Sequence, residues 1–536
     1  MRVNKILLLL LLATFSFSKE ISLDFLNSKP KSIYKDYYIW RFLDKNVSSD
    51  TAFKLIGDVK NMNRKLFLKF CKRVDKPIYK KIAKCYKMYP KEFLKADVDC
   101  IRIGFSVYDA TKLSKKDLKT IQDRVLKRYP KFAEDFDIFL AKDPFKALVH
   151  SNNRIFFDVF DRVGSKYREK HFNKPIPKKR VNKLIDNSRF NYAVKLIVTD
   201  LKLTKLQKSI LNIDSSKLKA KTNFLLAMNA IRHDKKKLAL RYLDIAFDKY
   251  KYRFDKDKAL FWKYLITKDV NTLYELSNSF DANIYTIYAL QKLRGKKFLD
   301  SLRIVSDIEC KNIPPKIDIE DPFDWLGVLD RLNKKDANAT KIANSFKSCQ
   351  ELPYKAFALE RADFKTNYFI VPYKQYLDEY PKQREILMLS IARQESRFIP
   401  SSISYSYALG MMQFMPFLVR ATAKQMKLKN FDLDDIFDPK NAYIFADKHL
   451  NYLESRLKHP LLIAYAYNGG IGFTRRMLKK ELFKKGRYEP YLSMELVPYD
   501  ESKRYAKKVV ANYIIYSSLY GKYIDIKTLF QSLVKP

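Results

Sequence analysis

Apolar residues recur along most of this chain at the three-to-four spacing of a helix, and the two-residue alternation of a half-buried strand hardly appears. Phe224, Ala227, Met228 and Ile231 make one i, i+3, i+4, i+7 stripe; His233 and Asp234 interrupt it, and Leu238, Tyr242 and Ile245 restart it. That pattern predicts a helical hairpin. Comparable pairs run through Phe53 to Phe70, Leu118 to Leu140 and Ala259 to Leu290, with no strict repeat length. Stacked hairpins build curved solenoids whose concave faces bind extended partners. The expected class is therefore mostly α, with an N-terminal superhelical solenoid.

Glycine changes the picture near the C-terminus. Of 11 Gly in 536 residues, Gly410, Gly469, Gly470, Gly472, Gly486 and Gly521 fall after residue 400, whereas Trp40, Trp262 and Trp325 all stand before residue 330. Glycine clusters mark tight turns or close approach of backbone to a ligand. A boundary is expected between Ala362 and Asn367, giving a solenoid with its linker over 19–365 and a second domain over 366–536.

The first residues read as an export signal over 1–18: Arg2 and Lys5 carry charge, Ile6 to Phe17 is almost wholly apolar, and Ser16 and Ser18 are small. The apolar run is shorter than the roughly 20 residues of a membrane span, so no stable membrane anchor is expected. The formal net charge is +46, from 105 Lys and Arg against 59 acids. Such a field suits an anionic partner, and an exported chain without a nucleic-acid motif meets envelope polymers rather than nucleic acid. The five His (His150, His171, His233, His449, His459) show no metal spacing, and no cofactor is implied. Among five Cys, one bridge is available within Cys71, Cys85 and Cys100 and another between Cys310 and Cys349, leaving an odd thiol.

Gln383 to Phe398 reads as an amphipathic helix with Leu387, Ile391, Glu395 and Phe398 on one face. A glutamate on a buried stripe is desolvated, which raises its pKa and readies it as a general acid. The plainer alternative is a structural carboxylate paired with Arg393 or Arg397. Downstream stand Gly410-Met411-Met412-Gln413-Phe414-Met415-Pro416 and Ala466-Tyr467-Asn468-Gly469-Gly470. Read alone, these are a Met-rich packed segment and a turn.

Four blocks in order resemble the lytic transglycosylases of glycoside hydrolase family 23, which share the goose-type lysozyme fold. Ser390 to Ser396 is similar to the family's A-I-x-R-Q-E-S, Gly410 to Pro416 to G-L-M-Q-x-M-P, Ala466 to Gly470 to A-Y-N-A-G, and Pro498 to Tyr505 to P-F-x-E-T-R-x-Y. Asn283 to Leu290 is similar to a Y-x-x-x-A-L stretch of the long soluble members, whose catalytic domain follows a ring-like helical superstructure.

The resemblance implies a lysozyme-like α catalytic domain in which Glu395 is acid and base, supported by Ser396. It implies that Ser404 and Gln413 hold substrate N-acetyl and hydroxyl groups, that Met415 lines the groove, and that Tyr467 and Asn468 sit beside the reacting centre. Glu501 would meet a peptide stem or a further sugar, while Met412 is read as core. Tyr405 and Tyr407 stand where the family has small residues or Pro, and are expected as rings near the cleft. The implied partner is the peptidoglycan glycan strand, with other cell-wall enzymes as further candidates, and the implied location is the periplasm. The implied reaction cleaves the MurNAc-GlcNAc β-1,4 bond and closes a 1,6-anhydro ring on the muramic acid, with the substrate N-acetyl group replacing a second carboxylate. One alternative is a hydrolytic muramidase drawing on the Asp432, Asp434, Asp435 and Asp438 cluster; the other is a non-catalytic helical scaffold that binds peptidoglycan. Asp438-Pro439 itself reads as a helix start. Because every matched motif follows Asp363, the solenoid is expected to position substrate rather than take part in the chemistry.

Overall fold

The computed structural model describes residues 20–480 and 482–534. The export signal read at 1–18 lies outside the described residues. Among these, strand is confined to one two-residue parallel pair, and no helix is long and apolar enough to cross a membrane.

The N-terminal part is a succession of short helices. Two early ones are α1 (Ile33–Phe42) and α2 (Arg64–Arg73), whose first turns are capped by Ser32 and Asn63 accepting from backbone N–H groups two to three residues inside the helix. The hairpin read from the stripe is α3 (Ala220–Arg232) followed by α4 (Lys236–Lys249). Its turn is made by Asp234, at φ 54°. Phe224, Ala227, Met228 and Ile231 are buried, and so are Leu225, Leu226 and Ala230. Helix α3 is thus buried on all sides because the pile has neighbours both before and after it. Tyr242 fixes that stacking: its hydroxyl donates to the Leu211 carbonyl at 2.7 Å and accepts from the Ile213 N–H at 3.1 Å. The pile continues through α5 (Arg253–Thr267) and α6 (Ile284–Arg294). Disulfides join Cys85 to Cys100 and Cys310 to Cys349, and the buried Cys71 is left as the odd thiol.

Helix α7 (Leu352–Asp363) stops at Phe364, whose φ of 55° turns the chain. Strand β1 (Ile304–Val305) then pairs in parallel with β2 (Asn367–Tyr368), tying the end of the solenoid to the start of the C-terminal part. The C-terminal part is built round α8 (Lys382–Glu395), whose residues 385–393 are all buried. This corrects the amphipathic reading. The helix is a central rod rather than a one-faced surface helix, enclosed with α9 (Pro439–Glu454), α10 (Pro460–Gly469) and α11 (Asp500–Leu519). The rod also ends earlier than the stripe suggests. Ser396 closes it, and Arg397 and Phe398 adopt φ of 59° and 66°, so Phe398 is buried by a reversal of the chain instead of by another helical rung.

Besides the β1–β2 pair, the N-terminal part meets the C-terminal part midway along its length and again at its start, among other places. Midway, the Tyr285 hydroxyl donates to Glu495 Oε1 at 2.7 Å, the Lys507 ammonium reaches both Tyr285 and Glu495, and Lys195 and Lys221 pair with Asp500. At its very beginning, α1 packs against residues 405–434, some 390 positions later, and the chain closes on itself.

Candidate active site

Glu395 is the last residue of α8 and is half-buried. The Tyr505 hydroxyl, from α11, donates to its Oε1 at 2.8 Å. Burial lifts the carboxyl from 4.5 to about 8; the Tyr505 hydrogen bond acts against that rise and the nearby Glu501 charge adds to it. Neither neighbouring arginine compensates it. Arg397 makes a two-point contact with Glu360 at 2.8 Å on each nitrogen, and Arg393 donates to the Tyr368 carbonyl and to Asn512 Oδ1. The reading of Glu395 as an ordinary ion-paired glutamate is therefore not what the structure has.

Ser396 hydrogen-bonds the Met411 carbonyl at 2.8 Å, linking the end of α8 to the segment beyond the loop. The loop is folded on its own polar groups. Ser404 Oγ accepts from the Ala408 N–H, and the Gln413 side-chain amide donates to the carbonyls of Ser402 and Gly410. Gly410 has φ 74°, and a Cβ there would stand 2.7 Å from the Ile436 carbonyl oxygen, so only glycine fits. Met412 is fully buried and Met415 half-buried. The Tyr467 hydroxyl donates to the Met412 carbonyl at 2.9 Å; its pKa is raised by burial and then by the Glu395 charge, which places the two groups within each other's field. His449 packs against Tyr467 and Phe414 and is pushed down to about 4 by burial, so it serves as a neutral packing ring.

Asn468 donates to Glu501 Oε1 at 3.3 Å and accepts from the Ser502 hydroxyl at 2.6 Å. The next residue, Gly469, has no room for the alanine of the related motif: a Cβ would meet the Phe473 ring at 2.6 Å and Ser502 Oγ at 2.8 Å. Glu501 is exposed. The structure thus joins Glu395, Tyr467, Asn468 and Glu501 through α10 and α11, and Ser396, Ser404, Gln413 and Met415 through the loop. Tyr505 was given no role in the sequence, although it closes the fourth motif block.

Two readings are corrected. Tyr405 is exposed, but Tyr407 is 1% exposed and packs on Tyr37 and Trp40 of α1, with ring centroids 6.0 and 5.7 Å away. Its φ of 61° turns the ring inward, so it is a plug between the two parts of the chain and not a sugar platform. Nor is the acidic cluster a reserve of carboxylates for activating water. Asp432 and Asp434 pair with Arg41 at 2.6 and 2.7 Å, Tyr37 and Tyr38 donate to Asp434, Asp435 accepts the Asp432 N–H, and Asp438 caps α9. The same contact holds the loop of Ser404 from outside: Asn63 donates to the Tyr405 carbonyl at 3.2 Å and Lys65 to the Ser406 carbonyl at 3.1 Å.

These positions can be set against known proteins. Residues 374–489 match the transglycosylase SLT domain. The SLT match takes in Glu395, the Ser404 loop and Asn468, and ends before Glu501 and Tyr505. A putative soluble lytic murein transglycosylase of Haemophilus influenzae is 33% identical over 135 residues, covering 25% of this chain and 22% of that protein. The soluble lytic murein transglycosylase of Escherichia coli K12 is 27% identical over 169 residues, 31% of this chain and 25% of its own. The matched stretch thus spans about a quarter of the length of these relatives. Two solved structures align along most of the chain: the 70 kDa soluble lytic transglycosylase of Escherichia coli, at 16% identity and TM-score 0.46, covering 96% of this chain and 89% of that one, and an inactive mutant of the lytic transglycosylase Slt of Pseudomonas aeruginosa, at 15% and 0.49, covering 94% and 89%. The C-terminal part is similar to soluble lytic transglycosylases.

Proposed function

We propose that the chain is a peptidoglycan lytic transglycosylase that cleaves the MurNAc-GlcNAc β-1,4 bond and leaves a 1,6-anhydro-MurNAc end. One observation carries this: a glutamate at the end of a buried rod, held by a tyrosine hydroxyl, unpaired with either flanking arginine, and retaining its proton to about pH 8. In the first step the Glu395 carboxyl protonates the departing GlcNAc oxygen while the muramic acid N-acetyl oxygen attacks the anomeric carbon. In the second, the carboxylate just formed takes the proton of the 6-hydroxyl, whose oxygen closes on that carbon and releases the N-acetyl group. One group thus serves as acid and then as base, and no water is consumed.

In this reading Ser396 supports Glu395, Ser404 and Gln413 with the loop they shape hold the N-acetyl and hydroxyl groups, Met415 lines the groove, Tyr467 and Asn468 flank the reacting centre, and Glu501 meets the stem or a further sugar. The division into 19–365 and 366–536 belongs to the same reading; the left-handed Phe364 and an SLT match beginning at 374 support it. Periplasmic action follows from the substrate, and the +46 charge suits strands whose stems carry carboxylates. The hydrolytic alternative loses its second carboxylate to Arg41 and to helix capping.

Two results are expected of the pH profile. Since the acid must begin protonated, kcat/KM on soluble glycan oligomers should fall about tenfold per unit above pH about 8. In Tyr505→Phe the carboxylate loses the hydrogen bond that stabilises its charged form, so this limb should move upward by roughly one unit. A limb left in place, or moved downward, would show that Tyr505 does not act on Glu395.

A further inference from the structure

Behind the catalytic rod lies a second polar cavity, of about 200 Å³, with no part in the cleft chemistry. Four segments meet there: Asp281 to Asn283 just before α6, Glu360 to Asn367 at the end of α7, Arg393 to Arg397 at the end of α8, and Lys508 to Asn512 on α11. Arg393 stands two residues before Glu395, about 200° round the helix, so the two side chains leave the rod on opposite sides.

The charges in this cavity do not balance. Arg393, Arg397, Lys508 and Lys365 line it against Glu360 and Asp281. Glu360 is engaged by Arg397 at both oxygens. Lys508 has no hydrogen bond or ion pair among the described residues, although it is only partly exposed. Burial, then the like charges of Arg397, Arg504 and Arg393, outweigh the opposite charges of Asp281 and Glu360 and bring its ammonium down to about 8. Arg393 is lowered to about 10 by burial and by Arg397. Its guanidinium lies over the Phe369 ring and is bonded to neutral oxygens only. A half-buried ammonium without a hydrogen-bond partner beside a buried guanidinium, with Glu360 taken by Arg397 and Asp281 stabilised by Asn283, is an arrangement that an anion completes through charge-assisted hydrogen bonds.

We propose that this cavity binds a small oxyanion, a phosphate or carboxylate group, between Lys508 and Arg393, with Lys365 at its mouth. With a water's share of liquid volume near 30 Å³, the cavity has room for such a group and a few waters. The occupant would tie α11 and the end of α8 to the solenoid residues before α6. The inference does not depend on the reading of the cleft, because none of these contacts involves the Glu395 carboxyl.

The test is calorimetric titration of the full chain at pH 8 with inorganic phosphate and, separately, with citrate. It is run in two buffers of different ionisation heat, with sodium chloride matching the ionic strength. An anion that recharges Lys508 draws a proton from the buffer, so saturable binding should come with uptake of about half a proton. Sulfate, which does not titrate there, controls for the ligand's own ionisation. Lys508→Gln should lose the saturable heat; Lys508→Arg, which keeps the charge beside Asp281 and Glu360, should bind with no proton uptake, and neither variant breaks a hydrogen bond or ion pair of another residue. Binding by phosphate alone or by citrate alone assigns the group. Heat no greater than the chloride control for both, or equal binding and equal proton uptake in all three proteins, would overturn the proposal.

Discussion

Glu395→Gln should lower turnover on peptidoglycan at least a hundredfold, and by as much as ten-thousandfold, while the chain stays folded. General acid catalysis contributes in that range, and here both steps use the same group. The amide keeps the shape and still accepts from Tyr505, but has no proton to give. Stability should move the other way. With the carboxyl raised in the folded chain, the native state holds a proton that the unfolded state has released between pH 4.5 and about 8. Wild-type stability therefore falls with rising pH across that window, and the neutral amide escapes this loss. Denaturant unfolding of both proteins should show Glu395→Gln gaining on wild type from pH 4.5 upward, with the gap levelling off above about 8. A variant that is inactive and also less stable at neutral pH would point to a structural glutamate.

Arg41→Ala should cost about 3–5 kcal/mol at the contact between α1 and residues 405–434, because it leaves a desolvated carboxylate without its cation. Asp434 is raised by burial, and Arg41 opposes that rise. The deficit should be largest at neutral pH and shrink as acid protonates the orphaned carboxylates. The consequence reaches the site. Tyr407 loses its seat on Trp40, and the loop shaped by Ser404 and Gln413 loses its outer support. Hydrogen exchange should therefore quicken at residues 401–410, and KM for glycan should rise more than kcat falls. Unchanged exchange in that loop would mean that the solenoid merely adjoins it.

The hairpin at α3 and α4 was legible because its core-facing residues fall at helical spacing, and local spacing is all that periodicity records. Glu395 was legible for a different reason, since its block of residues matched a motif. The stripe through Leu387 and Ile391 located the helix, yet its account of the burial was incomplete, because α8 is also covered by α9 and α11, which come later in the sequence, and by Phe369 just before it. Tyr407 looked like a groove residue and Asp434 like a spare carboxylate, since nothing local ties the first to Trp40, 367 positions earlier, or the second to Arg41, 393 positions earlier. Tyr505 stood in plain view within the fourth block, but a spacing of 110 residues says nothing of which hydroxyl meets which carboxylate.

The central claim is that Glu395 passes a proton out and back with no water entering the product. Digesting purified sacculi in heavy-oxygen water and weighing the muropeptides tests it most directly. The account predicts unlabelled 1,6-anhydro ends, lighter than a hydrolytic product by one water, from the wild type and almost none from folded Glu395→Gln; labelled reducing ends, or undiminished anhydro products from the variant, would contradict it.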